Sequence, residues 1–196
     1  MKIGVLALQG AVAEHLNMIA QLGAESYAIK RPERLQEMDG LIIPGGESTT
    51  IGKLIHQYDF YEPLQQFHRE EKPIFGTCAG LIIIAKKIAG QDWNHLGLMD
   101  ITVERNAFGR QRESFEVNLP MPGVANDFRA VFIRAPLIKE VGTNVKILAK
   151  HKGEIVAVQE GHLLGASFHP ELTEDRRMHE YFLHMVESYK KILNNQ

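Results

Sequence analysis

Residues Pro73-Ile74-Phe75 run directly into Gly76-Thr77-Cys78-Ala79-Gly80, and a second apolar segment, Leu81-Ile82-Ile83-Ile84-Ala85-Lys86-Lys87-Ile88, follows at once. An apolar run, a turn with small residues on both sides and a helix-capable segment predict a strand-turn-helix elbow. Glycine at both ends removes the Cβ atoms that so sharp a reversal would drive together. The elbow also carries the only cysteine of the chain. Its turn lifts that side chain out of the sheet. The start of the following helix offers the positive end of a dipole, which favours a thiolate. A lone cysteine is by default a small buried hydrophobe. The flanking glycines and the strand-turn-helix setting shift the reading of Cys78 toward a nucleophile.

A thiol nucleophile needs a base, and the base needs an orienting group. The chain has nine histidines, so the presence of one is uninformative. His169 differs from the others in its setting. It ends the apolar stretch Leu163-Leu164-Gly165-Ala166-Ser167-Phe168 and precedes Pro170, which stops a strand. That puts His169 at a strand end, where the sites of open α/β sheets gather. Glu171, two residues on, can turn back to accept from the imidazole Nδ1 and leave Nε2 for the thiol. A third strand end is Gly40-Leu41-Ile42-Ile43, followed by Pro44-Gly45-Gly46-Glu47-Ser48. Adjacent glycines allow a backbone N–H to face a cavity, as an oxyanion hole requires. Ser48 suits the N-cap of a following helix.

The remaining pattern agrees with an α/β chain. Strands are predicted at Lys2-Leu8, Glu25-Lys30, Gly40-Ile43 and Pro73-Thr77, with helices at Ala11-Leu22, Ser48-Tyr58 and Tyr61-Glu70. Early βα alternation implies a parallel sheet with helices on both faces. Asp100-Glu104, Phe115-Leu119, Arg129-Arg134, Val145-Lys150, Ile155-Gln159 and Leu163-Phe168 read as later strands, partly antiparallel. Glu174-Leu193 closes the chain as a helix. Its Met178, Tyr181, Phe182, Met185, Val186 and Tyr189 form an apolar stripe, most simply a packing face. His179 and His184 are five apart, one more than the zinc-protease spacing, so no metal site is expected there. His15, His56, His68, His95, His151 and His162 read as surface or packing residues, and Lys86-Lys87 as a solvated helix face.

Composition bounds the function. A chain of 196 residues, 44% hydrophobic, suits one domain over 1–196 with a full core. A net charge of −2 with no basic block disfavours nucleic acid. One cysteine excludes an internal disulfide framework and suits a reducing, cytoplasmic setting. No apolar stretch nears the length of a membrane span.

The three strand-end motifs together resemble those of class I (triad) glutamine amidotransferases. The resemblance narrows through Leu6-Ala7-Leu8-Gln9-Gly10-Ala11, Val103-Glu104-Arg105-Asn106-Ala107-Phe108-Gly109-Arg110-Gln111, Phe132-Ile133-Arg134-Ala135-Pro136 and Ser167-Phe168-His169-Pro170-Glu171-Leu172-Thr173. In that order they are similar to the glutaminase subunits of pyridoxal 5′-phosphate synthases, from Lys2 to about Tyr189. The chain departs from that pattern at Ala13, Leu137 and Ala166, none of them a triad position.

The resemblance implies a three-layer, flavodoxin-like fold with a mostly parallel central sheet, helices on both faces and a few antiparallel strands. It implies that Cys78, His169 and Glu171 form a triad that hydrolyses L-glutamine through a thioester, with the N–H groups of Gly46 and Ala79 as the oxyanion hole. Gly46, Glu47, Ser48, Arg105, Ile133 and Arg134 would then contact glutamine. No cofactor or metal is implied. The partner would be a (β/α)8-barrel synthase subunit in a large heteromeric complex, receiving channelled ammonia, without nucleic acid or membrane. Two other readings share the elbow: a DJ-1-type or peptidase-type cysteine hydrolase, and a flavodoxin-like binding subunit without activity. The His-Pro-Glu order and the Gly-Gly-Glu-Ser segment argue against the first. Filled triad positions argue against the second.

Overall fold

The first half of the chain alternates strand and helix: β1 (Lys2–Leu6), α1 (Val12–Gln21), β2 (Glu25–Ile29), β3 (Gly40–Ile43), α2 (Ser48–Gln57), α3 (Tyr61–Arg69), β4 (Ile74–Thr77) and α4 (Ala79–Ile84). The second half is mainly strand: β5 (Ala85–Ile88), β6 (Met99–Glu104), β7 (Ser114–Met121), β8 (Ala125–Ile133), β9 (Leu137–Val141), β10 (Lys146–His151), β11 (Glu154–Glu160) and β12 (Leu163–Ala166). The helix α5 (Arg177–Asn194) closes it. The computed structural model describes residues 1–107 and 114–195, so the Phe108-Gly109-Arg110-Gln111 part of the sequence motif lies outside the described residues.

Successive strand residues face opposite ways, and here both directions are apolar. Ile3 and Val5 of β1, Ile42 of β3 and Phe75 of β4 enter one core. Leu6, Leu41, Ile43 and Ile74 of the same strands enter another. Strands buried on both faces require a covering layer on each side. Ile51, Ile55, Leu64, Phe67 and Leu81 of α2, α3 and α4 supply one. Ile19 of α1 with Met178, Phe182 and Val186 of α5 supplies the other. The fold class expected from sequence is the one observed.

The large sheet runs β2-β1-β3-β4-β12-β11-β9-β6-β5, with β10 added on β11. Pairing is parallel from β2 through β12. It turns antiparallel at β12–β11, β11–β9 and β9–β6, and is parallel again at β5–β6. β7 and β8 form a separate antiparallel ribbon. β3, β4 and β12 lie side by side and parallel, with Ile43 opposite Gly76 and Ala166 opposite Thr77. Their carboxyl ends therefore open onto one edge, and all three sequence motifs begin there.

Local expectations fail in three places. The segment Leu81–Ile88 does not continue as a helix. α4 stops after six residues at Ile84, and Ala85–Ile88 becomes β5, paired with β6. Three consecutive isoleucines give helix little advantage, because β-branched side chains lose χ1 freedom there, and pairing with β6 decides. Lys86 and Lys87 are thus exposed on an edge strand, where lysine guards against further pairing. β9 was not anticipated from sequence. Ser48 is not the N-cap of α2 but its first residue. Glu47 holds the cap position in extended backbone, and the Glu47 N–H is taken by Gln9 Oε1 at 2.7 Å.

Candidate active site

Cys78 follows β4 with φ +50° and ψ −105°, a conformation that L-residues adopt only under constraint. The constraint is close packing. A Cβ on Gly80 would lie 1.9 Å from the Ile43 carbonyl oxygen, and one on Gly76 would lie 2.6 Å from the Gly80 oxygen. The helix start is thereby pressed onto β3 and β4. The Cys78 N–H donates to the Ala166 oxygen at 2.8 Å, fixing the elbow to β12. The elbow glycines serve close approach; the strained φ belongs to the cysteine itself.

His169 follows β12 and is held from behind. Phe168 is fully buried, with its ring 5.6 Å from those of Phe128 and Phe132 on β8. The His169 N–H donates to the Val131 oxygen at 2.7 Å. Pro170 opens a 3₁₀ turn over Pro170–Leu172, which carries Glu171 back beneath the imidazole. Nδ1 of His169 lies 2.7 Å from Glu171 Oε1. Burial works against a charged imidazole here. Hydrogen bonds to Cys78 and Glu171, and the charges of both, outweigh it and push His169 up to about 10. The imidazole therefore holds a proton at neutral pH, beside the thiol.

The Gly45-Gly46 segment closes the third side. A Cβ on Gly45 would stand 2.4 Å from His169 Cε1 and 3.4 Å from Cys78 Cβ. The Gly45 carbonyl accepts from the Ala11 N–H at 3.0 Å. In a trans peptide the next N–H points the opposite way, so the Gly46 N–H faces away from the Gln9–Ala11 loop. Gly10 sits against this segment at φ +106°, and a Cβ there would lie 1.9 Å from the Gly45 oxygen.

The rim holds the remaining candidate residues. Ile133, exposed at the end of β8, presents its carbonyl 3.8 Å from Cys78 Sγ. Arg134 follows at φ +44°. Arg105, after β6, places Nη2 3.9 Å from Glu47 Oε1, while Glu47 Oε2 accepts from Thr49 Oγ1 at 2.8 Å. Glu47 and Gly46 are exposed; Ser48 is buried. Residues at the ends of β3, β4, β8 and β12 thus meet around one thiol, while Arg105, after β6, lies beside Glu47. Of the departures from the family pattern, Ala13 is exposed on α1, while Leu137 and Ala166 lie in the core.

Sequence reasoning missed what lies behind Glu171. His15 of α1 is fully buried, with Nε2 3.2 Å from Thr77 Oγ1 and 3.5 Å from Glu171 Oε2. Its Nδ1 is 2.9 Å from Nε2 of His179 on α5, also fully buried. Burial holds His15 well below the usual imidazole range, reinforced by His179 and His169; burial alone lowers His179 to about 4. Both are neutral. A signal existed: each sits on the apolar face of its helix, His15 four before Ile19 and His179 three before Phe182. His184, in contrast, is exposed, so the two histidines of the near-zinc motif face apart.

The chain is similar to known proteins along nearly its whole length. A protein from Brevibacillus brevis (strain 47) named pyridoxal 5′-phosphate synthase subunit PdxT is 64% identical over 190 residues, covering 97% of this chain and 100% of that one. A PdxT subunit from Niallia circulans is 63% identical, covering 95% and 98%. A crystal structure of a glutamine amidotransferase is 46% identical with a TM-score of 0.90, covering 94% of this chain and 98% of that one. PurLQS from Thermotoga maritima, 15% identical with a TM-score of 0.71 over 93% of this chain and 97% of that one, shares the fold. The family model described as the SNO glutamine amidotransferase family matches residues 5–188. That match over most of the chain, together with relatives 64% and 63% identical over nearly their whole length, shows that the chain belongs to the SNO glutamine amidotransferase family.

Proposed function

We propose that this chain is the glutaminase subunit of a pyridoxal 5′-phosphate synthase, acting as a single domain over residues 1–196. It hydrolyses L-glutamine to L-glutamate and passes the ammonia to a (β/α)8 synthase subunit. The observation that carries the reading is the convergence of Cys78, His169 and Glu171, with His169 Nδ1 2.7 Å from Glu171 Oε1 and the diglycine segment packed against both the imidazole and the thiol-bearing residue. The near-full-length PdxT relatives support the pathway and the partner.

The Cys78 sulfur adds to the glutamine side-chain carbonyl carbon, and the carbonyl electrons move onto oxygen. The Gly46 and Ala79 N–H groups receive that oxyanion in this reading; one such donor is worth roughly 3 kcal/mol. As the C–N bond breaks, His169 gives its proton to the departing nitrogen, and ammonia leaves a γ-glutamyl thioester. The neutral imidazole then takes a proton from water, hydroxide adds to the thioester, and the sulfur departs to re-form the pair with protonated His169. Glu171 keeps Nδ1 protonated throughout. Arg105, Arg134, Glu47, Ser48 and the Ile133 carbonyl supply the charges and dipoles that a free amino acid's carboxylate and ammonium require. Ammonia released to water would protonate and lose its nucleophilicity, which supports transfer inside a complex. The free thiol suits a reducing, cytoplasmic compartment.

The test is glutamate release from L-glutamine by the chain alone and with the barrel subunit. Release that rises with the barrel subunit and is lost in Cys78→Ala supports the reading. Release that persists in Cys78→Ala refutes it. Arg105→Ala is expected to raise KM for glutamine about tenfold, the loss of one charged contact, with kcat little changed. An unchanged KM removes Arg105 from the glutamine site.

A further inference from the structure

Glu171 uses only one of its two oxygens on His169. The other, Oε2, is fully buried and has no hydrogen-bond partner. A buried carboxylate oxygen left without a donor is costly, and the cost draws any nearby N–H toward it. His15 Nε2 stands 3.5 Å away, and the same nitrogen lies 3.2 Å from Thr77 Oγ1. Whether it carries a hydrogen is decided one residue further back.

A neutral imidazole has one N–H and one lone pair. Two arrangements connect the His15–His179 pair. If His15 carries its proton on Nδ1, it donates to His179 Nε2, and His179 must then hold its own proton on Nδ1. That atom is buried without a partner, so a donor would be orphaned. The same arrangement aims the His15 Nε2 lone pair at the Glu171 carboxylate. In the alternative, His179 Nε2–H donates to His15 Nδ1 at 2.9 Å, and His15 presents Nε2–H to Thr77 and Glu171. The orphan is then only a lone pair on His179 Nδ1, and a donor faces the carboxylate. Both differences favour the second arrangement. The groups that face His15 are His179 from α5, Thr77 from β4, and Glu171 with His169 from the segment after β12.

We propose that His15 is a positioning residue of the glutaminase site: its Nε2–H, set by His179, steadies Glu171 and thereby the orientation of His169. The inference rests on the reading of Cys78, His169 and Glu171 as the triad. The side-chain partners of His15 are His179, Thr77 and Glu171. His15 acts through the carboxylate, as an outer hydrogen-bond partner does for a ligating group, where removal costs about 10-fold or more.

The first experiment uses the unaltered chain. Nitrogen NMR of the imidazoles, between about pH 6 and 8, is expected to show His15 and His179 neutral, each protonated at Nε2. His15 protonated at Nδ1 overturns the proposal. The second compares H15L with H15Q, in complex with the barrel subunit. H15L is expected to lose about 10-fold in kcat with KM for glutamine held, and to broaden the His169 Nδ1–H resonance. In H15Q the amide N–H replaces Nε2–H, and both readouts recover. A folded H15L with full kcat and an unaltered resonance, or an H15Q no better than H15L, overturns the proposal. Cys78→Ala, measured beside them, separates the two readings. Activity surviving there removes the triad on which the inference rests. Activity lost there, with H15L unaffected, removes the role of His15 alone.

Discussion

Cys78 is a residue at which local rules are broken. Its positive φ costs about 1–3 kcal/mol in an L-residue, and the surrounding contacts hold it there. Gly76 and Gly80 permit those contacts, and a third glycine, Gly45, touches the site without being a reagent: a methyl group there would meet His169 Cε1 at 2.4 Å. Gly45→Ala is therefore expected to displace the imidazole and reduce glutaminase activity by about 100-fold, in keeping with the penalty for small misplacements. Steady-state kinetics with a circular dichroism control checks this, and near-normal kcat would show that the histidine has room to retreat. The triad residues were legible because each is marked by its own neighbours: glycines around Cys78, proline after His169, Glu171 two positions on. His15 and His179 were not. They meet across 164 positions of sequence, and each looks like a helix residue until α1 and α5 are brought behind β4.

Among the elements, the contact of α4 with β3 and β4 carries the site. The Gly80 position lies 1.9 Å from the Ile43 oxygen where a Cβ would stand. Backbone cannot yield there without pushing helix from sheet. Gly80→Ala is expected to cost at least about 3 kcal/mol, the upper range for overpacking. It should be seen as a lowered urea midpoint with an unchanged slope, and a midpoint within error of the parent would contradict the close approach. The strands of the parallel core were legible because continuous apolar runs end in glycine or proline. β5 and β9 were not. Ala85-Lys86-Lys87-Ile88 carries no alternation, and its burial follows the order buried, exposed, exposed, buried. Only its pairing with β6 makes it a strand.

For the whole molecule, buried histidines set the response to pH. His15 is held below its ordinary range by burial and by its histidine neighbours; burial lowers His179 to about 4 and, with His68 beside it, His162 to about 4 as well. Below the unfolded value of 6.5 the unfolded chain binds protons that the native chain refuses. Stability then falls as pH falls from 6.5 toward 4. One fully buried neutral histidine contributes up to about 1.4 kcal/mol per pH unit in that window, and the part-buried His162 less. His169 has the opposite sign. Its raised value, about 10, gives stability that is complete below 6.5 and is lost as pH rises through 10. Thermal melts across pH should show a maximum between these limbs, with a shallower acid limb in His179→Gln. An acid limb equally steep in that variant would mean that other groups dominate. No helix among the described residues is long and apolar enough to cross a membrane.

The sequence by itself determined the alternation of strand and helix, the elbow, and the identities of thiol, imidazole and carboxylate, because each is written in residues close together along the chain. Tertiary structure decided what lies next to what. β12 inserts beside β4 though nearly ninety residues separate Thr77 from Ala166, its partner in register. That pairing brings His169 to Cys78. The β7–β8 ribbon clamps Phe168, and α1 and α5 close a pair of neutral histidines behind the carboxylate. Such contacts follow from the burial of two apolar sheet faces at once, a condition on the whole chain that no local segment expresses.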